Sequence, residues 1–365
     1  MKIAIVHDYI KEYGGAEKVL EELHNLFPKA PIYTTVYLPN FLGPHKERFQ
    51  KMDIRPSILQ YIPFKSKLIS PLRLLAILVF KFWNFSKYDL VIVSATGAYQ
   101  PNLINKGKAK QICYCHTPPR YLYGYSTARN WQKLPVINVL ASIANHFLRM
   151  VDFKSAQNVD LFIANSKEIK SRIERFYRKD SIVVYPPVSL SIAQKSYQKE
   201  NYYLAGGRLA RPKRVDLAIK AANKLKLPLI VFGKGFAGYG KELEKIAGTT
   251  VKFVGEVNEE EKIKLMSQAK AFIFSAEEED FGITPVEVMS VGTPVIAFYS
   301  GGVKESVIGG KTGVFFEETS VDSLISAIKK FEKIKIDSKE CIKQSLNFSK
   351  DNFDKKVKKI VNKYA

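Results

Sequence analysis

The sequence predicts an α/β protein of two doubly wound domains, each a parallel sheet layered with helices. Three observations predict it. Short apolar runs alternate with stretches of helical periodicity along the chain, the pattern of parallel strands joined by crossover helices. The alternation halts at Pro186-Pro187 and begins again at NYYLAGGR. The 365 residues are enough for two domains of ~100–200 residues each.

Taken in order, KIAIVHDYI, APIYTTVY, YDLVIVSAT, AKQICYCHT, VDLFIANS and DSIVVYPPV read as six strands. The first is followed by GGAEKVLEELHNLF, where Val19, Leu20, Leu23, Leu26 and Phe27 recur at helical spacing. The paired prolines stop the sixth strand and stiffen the exit. NYYLAGGR, LPLIVFGKG, VKFVGEV, KAFIFSA and TPVIAF are the strands of the second cycle, with helices at VDLAIKAANKL, EEEKIKLMSQ and TPVEVMSVG. Lys350 to Tyr364 reads as a closing amphipathic helix with Phe353, Val357, Ile360 and Val361 on one side. The expected domains are 1–187, joined by the C-terminal helix at about 348–365, and 188–347. Ligands of open parallel sheets bind at the carboxyl ends of strands, so two such edges are expected to face each other across a cleft.

Composition is that of a globular protein, 46% hydrophobic and 25% charged. Three cysteines make no disulfide framework, and a reduced, cytoplasmic setting is expected. Met1 leads straight into a strand, so no signal peptide is expected. The longest apolar run, LISPLRLLAILVFKFW, is broken by Pro71, Arg73 and Lys81, short of the ~20 apolar residues a membrane span needs. Net charge is +22, of which +14 falls in residues 1–187. Such an excess favours nucleic acid, an anionic membrane or phosphorylated substrates; a general lysine bias is the plain alternative. No zinc, helix-turn-helix or RNP-type motif supports nucleic acid.

Four stretches could carry chemistry. Gly14-Gly15 lies between the first strand and its helix, where backbone N–H groups can meet an anion, or where a tight turn is all that is needed. In GGRLARPKRVD, Arg208 and Lys213 can clamp a diphosphate, the one as a fork and the other as a point charge; the alternative is a solvated basic loop with Arg211 and Arg214. In CYCHTPPRY, His116 is the first residue past a strand, placed to face a substrate or to bond backbone, while Cys113 and Cys115 lack the partners of a zinc site. The stretch EEEDFGITPVEVM gathers Glu277, Glu278, Glu279 and Asp280 before Glu287. Its acids match no EF-hand spacing, and all lie after one strand, poorly placed to straddle a glycosidic bond. Glu277, Glu278 and Asp280 read as solvated. Thr284, Pro285 and Glu287 have the form of a capping box, and the amides of Phe281, Gly282 and Ile283 open a helix.

These motifs, in this order, resemble family 4 of the retaining glycosyltransferases, which have the GT-B fold. The likeness spans almost the whole chain. Glu279 and Glu287 around Phe281-Gly282 match the family's E-x7-E signature, Arg208 and Lys213 its diphosphate-binding pair, and YGGAEKVL its glycine turn. HTPPRY, VDLFIANS, VVYPPV and GRLARPKRVDLAI are similar to a bacterial mannosyltransferase branch that builds O-antigen and related surface polysaccharides (lipopolysaccharide).

The resemblance implies a nucleotide-sugar donor, GDP-mannose by preference and a UDP-sugar as the alternative. It implies a saccharide acceptor, often linked to lipid diphosphate, and no metal or other cofactor. Glu287 would hold ribose hydroxyls, and Glu279 the donor sugar with Phe281, Gly282 and Ile283. Arg208 and Lys213 would neutralise the leaving diphosphate. Gly14 and Gly15 would bind substrate, and His116 would lie beside the transferred sugar. In the segment 64–87, Lys67, Arg73 and Lys81 share about a third of a helical wheel, so this segment is either an interfacial helix on the cytoplasmic face of a membrane or part of the core.

Overall fold

The computed structural model describes residues 1–127, 135–191 and 198–364. The chain divides into two compact units. The first takes Met1 to Tyr125, the described residues up to Pro187, and the segment from Asp351 onward; Val188 to Lys350 form the body of the second.

The strands of the first unit are β1 (Ile3–His7), β2 (Ile32–Thr34), β3 (Ile54–Pro56), β4 (Leu90–Ala95), β5 (Lys110–Cys115), β6 (Leu161–Ala164) and β7 (Ser181–Val183). All pair in parallel, in the order β3-β2-β1-β4-β5-β6-β7. The helices are α1 (Gly15–Leu26), α2 (Lys65–Phe82), α3 (Pro135–Gln157) and α4 (Lys167–Tyr177).

Side chains alternate across a strand, and the two faces of this sheet have separate cores. Ala4, Val6, Cys113 and Cys115 face one core with Leu72, Ala76 and Phe80 of α2 and Ile169 and Ile173 of α4. Ile5, Ile112 and Tyr114 face the other with Val19, Leu20 and Leu23 of α1. Phe353, Val357, Ile360 and Val361 complete that second core. They come from the last helix of the chain.

The second unit repeats the plan with β8 (Tyr203–Gly206), β9 (Leu229–Phe232), β10 (Val251–Gly255), β11 (Ala271–Phe274), β12 (Val295–Phe298) and β13 (Gly313–Phe316), in the order β10-β9-β8-β11-β12-β13. Its helices are α5 (Val215–Leu225), α6 (Tyr239–Ile246), α7 (Glu259–Gln268), α8 (Ile283–Ser290), α9 (Val303–Ser306), α10 (Val321–Glu332) and α11 (Ser338–Ser345). The closing helix, α12, spans Lys350–Tyr364.

The sequence reading falls short by one strand in each sheet. Both omitted strands, β3 and β13, are edges. β3 is three residues long and includes an exposed arginine and a proline, which only an edge tolerates. β13 opens on a glycine and runs straight into Glu317 and Glu318. Neither is long enough to show a period.

Candidate active site

In the second sheet the strand order reverses between the neighbours β8 and β11. Loops leaving two such strands turn to opposite sides and open a crevice at their carboxyl ends. The basic loop Gly206–Arg214 leaves β8, and the acidic loop Ser275–Gly282 leaves β11. The reversal brings together loops some 66 residues apart, as in the Lys213–Glu279 pair.

The two loops are laced to each other. The Glu277 N–H donates to the Pro212 carbonyl at 2.9 Å, and the Ser275 hydroxyl to the Arg214 carbonyl at 2.6 Å. Lys213 Nζ lies 2.5 Å from Glu279 Oε2. Arg214 pairs with Glu277 and, at 3.1 Å, with Asp216. Arg211 pairs with Glu242. The expectation that Glu277 is a solvated charge is therefore corrected: it is committed to Arg214. Arg214 likewise serves the fold of the loop, while Arg211 and its partner Glu242 stay partly exposed. Arg208 is exposed, its guanidinium 4.1 Å from the Phe236 ring centroid.

A second support for Glu279 escaped the sequence reading. Gly302 N–H donates to the Glu279 carbonyl at 2.7 Å. Gly301 has φ +66°, and a Cβ there would stand 2.2 Å from that same carbonyl oxygen. The acidic loop rests directly on this glycine pair. The signal was present in the sequence, since SGGVKE follows a strand as YGGAEK does.

The helix after the acidic loop starts earlier than the capping-box reading requires. Gly282, at φ +88°, is the N-cap of α8, and Thr284 and Pro285 lie inside the first turn. Glycine takes this left-handed φ at no steric cost. Glu287 then falls a full turn into the helix, too far from the N-cap to close a box. It is buried, and its Oε2 lies 3.5 Å from Lys262 Nζ of α7. Burial works to lower the Lys262 pKa, but the carboxylates of Glu287 and Glu259 outweigh it and hold the ammonium above its ordinary range. Phe281 is buried with its ring against Phe348. The first amides of α8 lie at the positive end of the helix dipole.

In the first unit the order reverses between β1 and β4. Gly14 is the N-cap of α1, and its N–H donates to Glu17 Oε2 at 2.9 Å. Asp8, at the exit of β1, is fully buried. Its Oδ2 accepts from the Thr96 hydroxyl at 2.6 Å and from the N–H groups of Ala98 and Tyr99, both at 3.1 Å. Burial raises its pKa against the pull of these bonds. Asp8 thus shapes the exit of β4. Its signal was a polar His7-Asp8 pair ending an otherwise apolar strand.

His116 is the first residue past β5 and is 8% exposed. Its N–H donates to the Ala95 carbonyl and its carbonyl accepts from Asn165 Nδ2, both at 2.9 Å. Burial, with a smaller effect of His7, pushes its pKa down to about 3. The ring is therefore a neutral hydrogen-bonding group at physiological pH. Among the described residues no three His, Cys, Asp or Glu side chains gather as metal ligands, and Cys113 and Cys115 are buried in the core. The sequence-predicted residues thus fall into two groups: Gly14, Gly15 and His116 in the first unit, and Arg208, Lys213, Glu279, Phe281, Gly282, Ile283 and Glu287 in the second.

Solved structures share this fold. Anabaena HepE in complex with UDP and glucose is 19% identical, covers 99% of both chains and superposes with a TM-score of 0.71. Sucrose-phosphate synthase of Thermosynechococcus elongatus, 16% identical, covers 100% of this chain and 99% of its own, with a TM-score of 0.76. The architecture is GT-B, and the protein is a glycosyltransferase. The family profile described as Glycosyltransferase Family 4 matches residues 13–192, and that described as Glycosyl transferases group 1 matches residues 190–348. The chain belongs to the family 4 glycosyltransferases.

Among its relatives are two alpha-1,3/1,6-mannosyltransferases named ALG2. The one from Dictyostelium discoideum is 25% identical over 313 residues, 73% of this chain and 72% of the relative. The one from Rhizomucor pusillus is 24% identical, over 64% of this chain and 60% of its own length.

Proposed function

We propose that this protein transfers mannose from GDP-mannose, with retention of anomeric configuration, to a saccharide acceptor carried on lipid diphosphate, in the synthesis of surface polysaccharide. The pairing of Lys213 with Glu279 at the β8/β11 reversal carries the reading: a cation for phosphate and a carboxylate for hydroxyls are held in one crevice. Arg208 and Lys213 neutralise the departing diphosphate, and the opening amides of α8 add to that field. Fixed positive groups of this kind stabilise the charge as it develops, so no metal is assigned a role. Glu279 holds hydroxyls of the donor sugar and Glu287 those of the ribose. His116 faces the transferred sugar, and Gly14-Gly15 border it. The relatives named as mannosyltransferases support the choice of sugar.

The acceptor reading extends to a membrane. On α2, Leu68, Leu74, Leu75, Leu78 and Phe82 are exposed, while Leu72, Ala76 and Phe80 are buried. At ~3.6 residues per turn the exposed set fills about a third of the wheel. On α3, Ile143, Phe147, Met150 and Phe153 are exposed at helical spacing. From Ile54 to Val151 the only acidic residue is Asp89, against 13 Lys and Arg. Apolar stripes beside unbalanced positive charge fit the cytoplasmic face of an anionic bilayer. No described helix is long and apolar enough to cross a membrane.

Thermal shift with GDP-mannose, UDP-glucose and UDP-galactose, followed by transfer assays in EDTA, tests the donor and the metal. Stabilisation by GDP-mannose and transfer that survives EDTA are expected. Stabilisation by a UDP-sugar alone would replace the mannosyl reading. Sedimentation with phosphatidylglycerol vesicles tests the membrane; pelleting no greater than with phosphatidylcholine at low salt would remove it.

A further inference from the structure

His7, Ser94 and His116 form a buried chain of polar side chains in the first unit. In the β1/β4 ladder His7 stands directly opposite Ser94, and in the β4/β5 ladder Ser94 stands opposite Tyr114. His116, two residues on from Tyr114, points to the same face. Ser94 Oγ lies 3.0 Å from His7 Nδ1 and 2.9 Å from His116 Nε2. On the far side of His7, Nε2 is buried without a hydrogen bond, and Glu17 Oε1 lies 3.9 Å away. The other oxygen of that carboxylate accepts the Gly14 N–H, which fixes where Glu17 points.

A serine hydroxyl has one proton to give. With both rings neutral, the two short contacts can both be hydrogen bonds in two ways that use it. In one, His7 Nδ1–H donates to Ser94, and Ser94 donates to His116 Nε2. That leaves a bare nitrogen lone pair on His7 facing the Glu17 carboxylate, negative against negative. In the other, His116 Nε2–H donates to Ser94, Ser94 donates to His7 Nδ1, and His7 carries its proton on Nε2, facing Glu17. A third arrangement, both rings donating to the hydroxyl, strands a buried O–H and loses a bond. Among the neutral arrangements only the second satisfies the hydroxyl and matches the charge of Glu17; a protonated His7 would instead donate both to Ser94 and toward Glu17 and turn the Ser94 proton to His116.

We propose that Glu17, His7 and Ser94 are positioning residues that fix the tautomer of His116, so that its proton sits on Nε2 and its Nδ1 is presented as a hydrogen-bond acceptor. The order of donation runs from His116 to Ser94 to His7, with the last N–H toward Glu17. On the reading that His116 faces the transferred sugar, Nδ1 accepts a hydrogen bond from a sugar hydroxyl. The turn Tyr13-Gly14-Gly15-Ala16-Glu17 thereby reaches His116 through the sheet. Its glycines set the start of α1, and its glutamate sets a proton two side chains away.

The test is nitrogen-resolved NMR of the full chain labelled at histidine. There are five histidines, and H116Q identifies the signal of His116. The expected wild-type spectrum, taken at a pH where no histidine ring is protonated, has His116 protonated on Nε2. In S94A the signal moves toward a mixture of tautomers, and S94T, which keeps the hydroxyl, restores it. E17Q, which keeps an acceptor for Gly14 but removes the charge, weakens the preference. In transfer assays S94A lowers kcat at least tenfold with the KM for acceptor unchanged, and S94T recovers it. Protonation of wild-type His116 on Nδ1, or a tautomer indifferent to S94A and E17Q, would overturn the proposal. Because the spectrum needs no substrate, the outcomes separate: the assigned tautomer without transfer from any nucleotide sugar leaves the relay standing and removes the sugar-facing role.

Discussion

Lys213 and Glu279 are partners: the ammonium of one lies 2.5 Å from the carboxylate of the other, and each is the residue to which a different part of the donor is assigned. The two demands compete. A diphosphate entering the crevice must share Lys213 with Glu279, and the carboxylate must turn to sugar hydroxyls as it does so. K213A is therefore expected to weaken GDP binding by about 10–100-fold, the loss of a charge-assisted contact of ~1.5–3 kcal/mol. E279Q is expected to leave GDP binding equal or tighter while transfer falls at least a hundredfold. Calorimetric titration of both variants checks this, and weaker GDP binding in E279Q would contradict it.

Gly301 gives a sharper test of the acidic loop. An alanine Cβ would stand 2.2 Å from the Glu279 carbonyl oxygen, at a φ of +66°. Backbone cannot yield as a side-chain tip can. G301A is expected to displace Glu279 and lower transfer severely, with a loss of stability of ~2 kcal/mol. G310A is the control: its φ is +78° but a Cβ there meets nothing within 4 Å. It carries backbone strain alone, so its transfer rate should stay near wild type.

Two buried groups of the first unit oppose each other in pH dependence. Asp152, hydrogen-bonded by the Tyr123 hydroxyl at 2.9 Å, is pushed up to about 7 by burial. It holds a proton in the folded state that the unfolded chain has released, so its contribution falls as pH rises from about 4 to 7. His116, pushed down to about 3, refuses a proton that the unfolded chain accepts, so its contribution falls as pH drops below about 6.5. Each is worth up to ~4 kcal/mol across its window. Between pH 5 and 6.5 the two contributions run against each other in the wild type. D152N should lose stability as pH falls through that range, and H116Q as it rises. Melting curves of the three proteins, taken in steps of half a pH unit, read the signs directly.

Phe353 tests the membership of α12. It is buried beside Tyr114, with ring centroids 5.9 Å apart. F353A is expected to cost ~3–4 kcal/mol, and the loss should appear in the first sheet. Hydrogen exchange should speed up in β5 and leave β11 unchanged, although β11 is far nearer in sequence.

What could be read from the sequence follows from the range of the forces involved. KIAIVHDYI and the closing helix announce themselves through periods that a dozen residues can carry. Arg208, Lys213 and Glu279 stand out because charges follow apolar runs at strand exits, and Glu287 because it interrupts an apolar helix. The edge strands β3 and β13 are too short for a period, and strand order alone makes them strands. Partners were invisible for the same reason. Glu277 with Arg214, Glu287 with Lys262, and His7 with Ser94 depend on which strands or helices become neighbours. The misplaced capping box shows the limit even of local reading. Thr-Pro-x-Glu fits the pattern, but Gly282 can take a backbone angle that starts the helix sooner.

The return of α12 has a consequence for synthesis on the ribosome. Ile5, Ile112 and Tyr114 are made early, yet the apolar side chains that cover them together with α1 are Phe353, Val357, Ile360 and Val361. Through translation of the whole second unit, the nascent first sheet keeps one greasy face partly bare. The first unit thus completes this core only once the segment that forms α12 has left the ribosome, after the whole of the second unit.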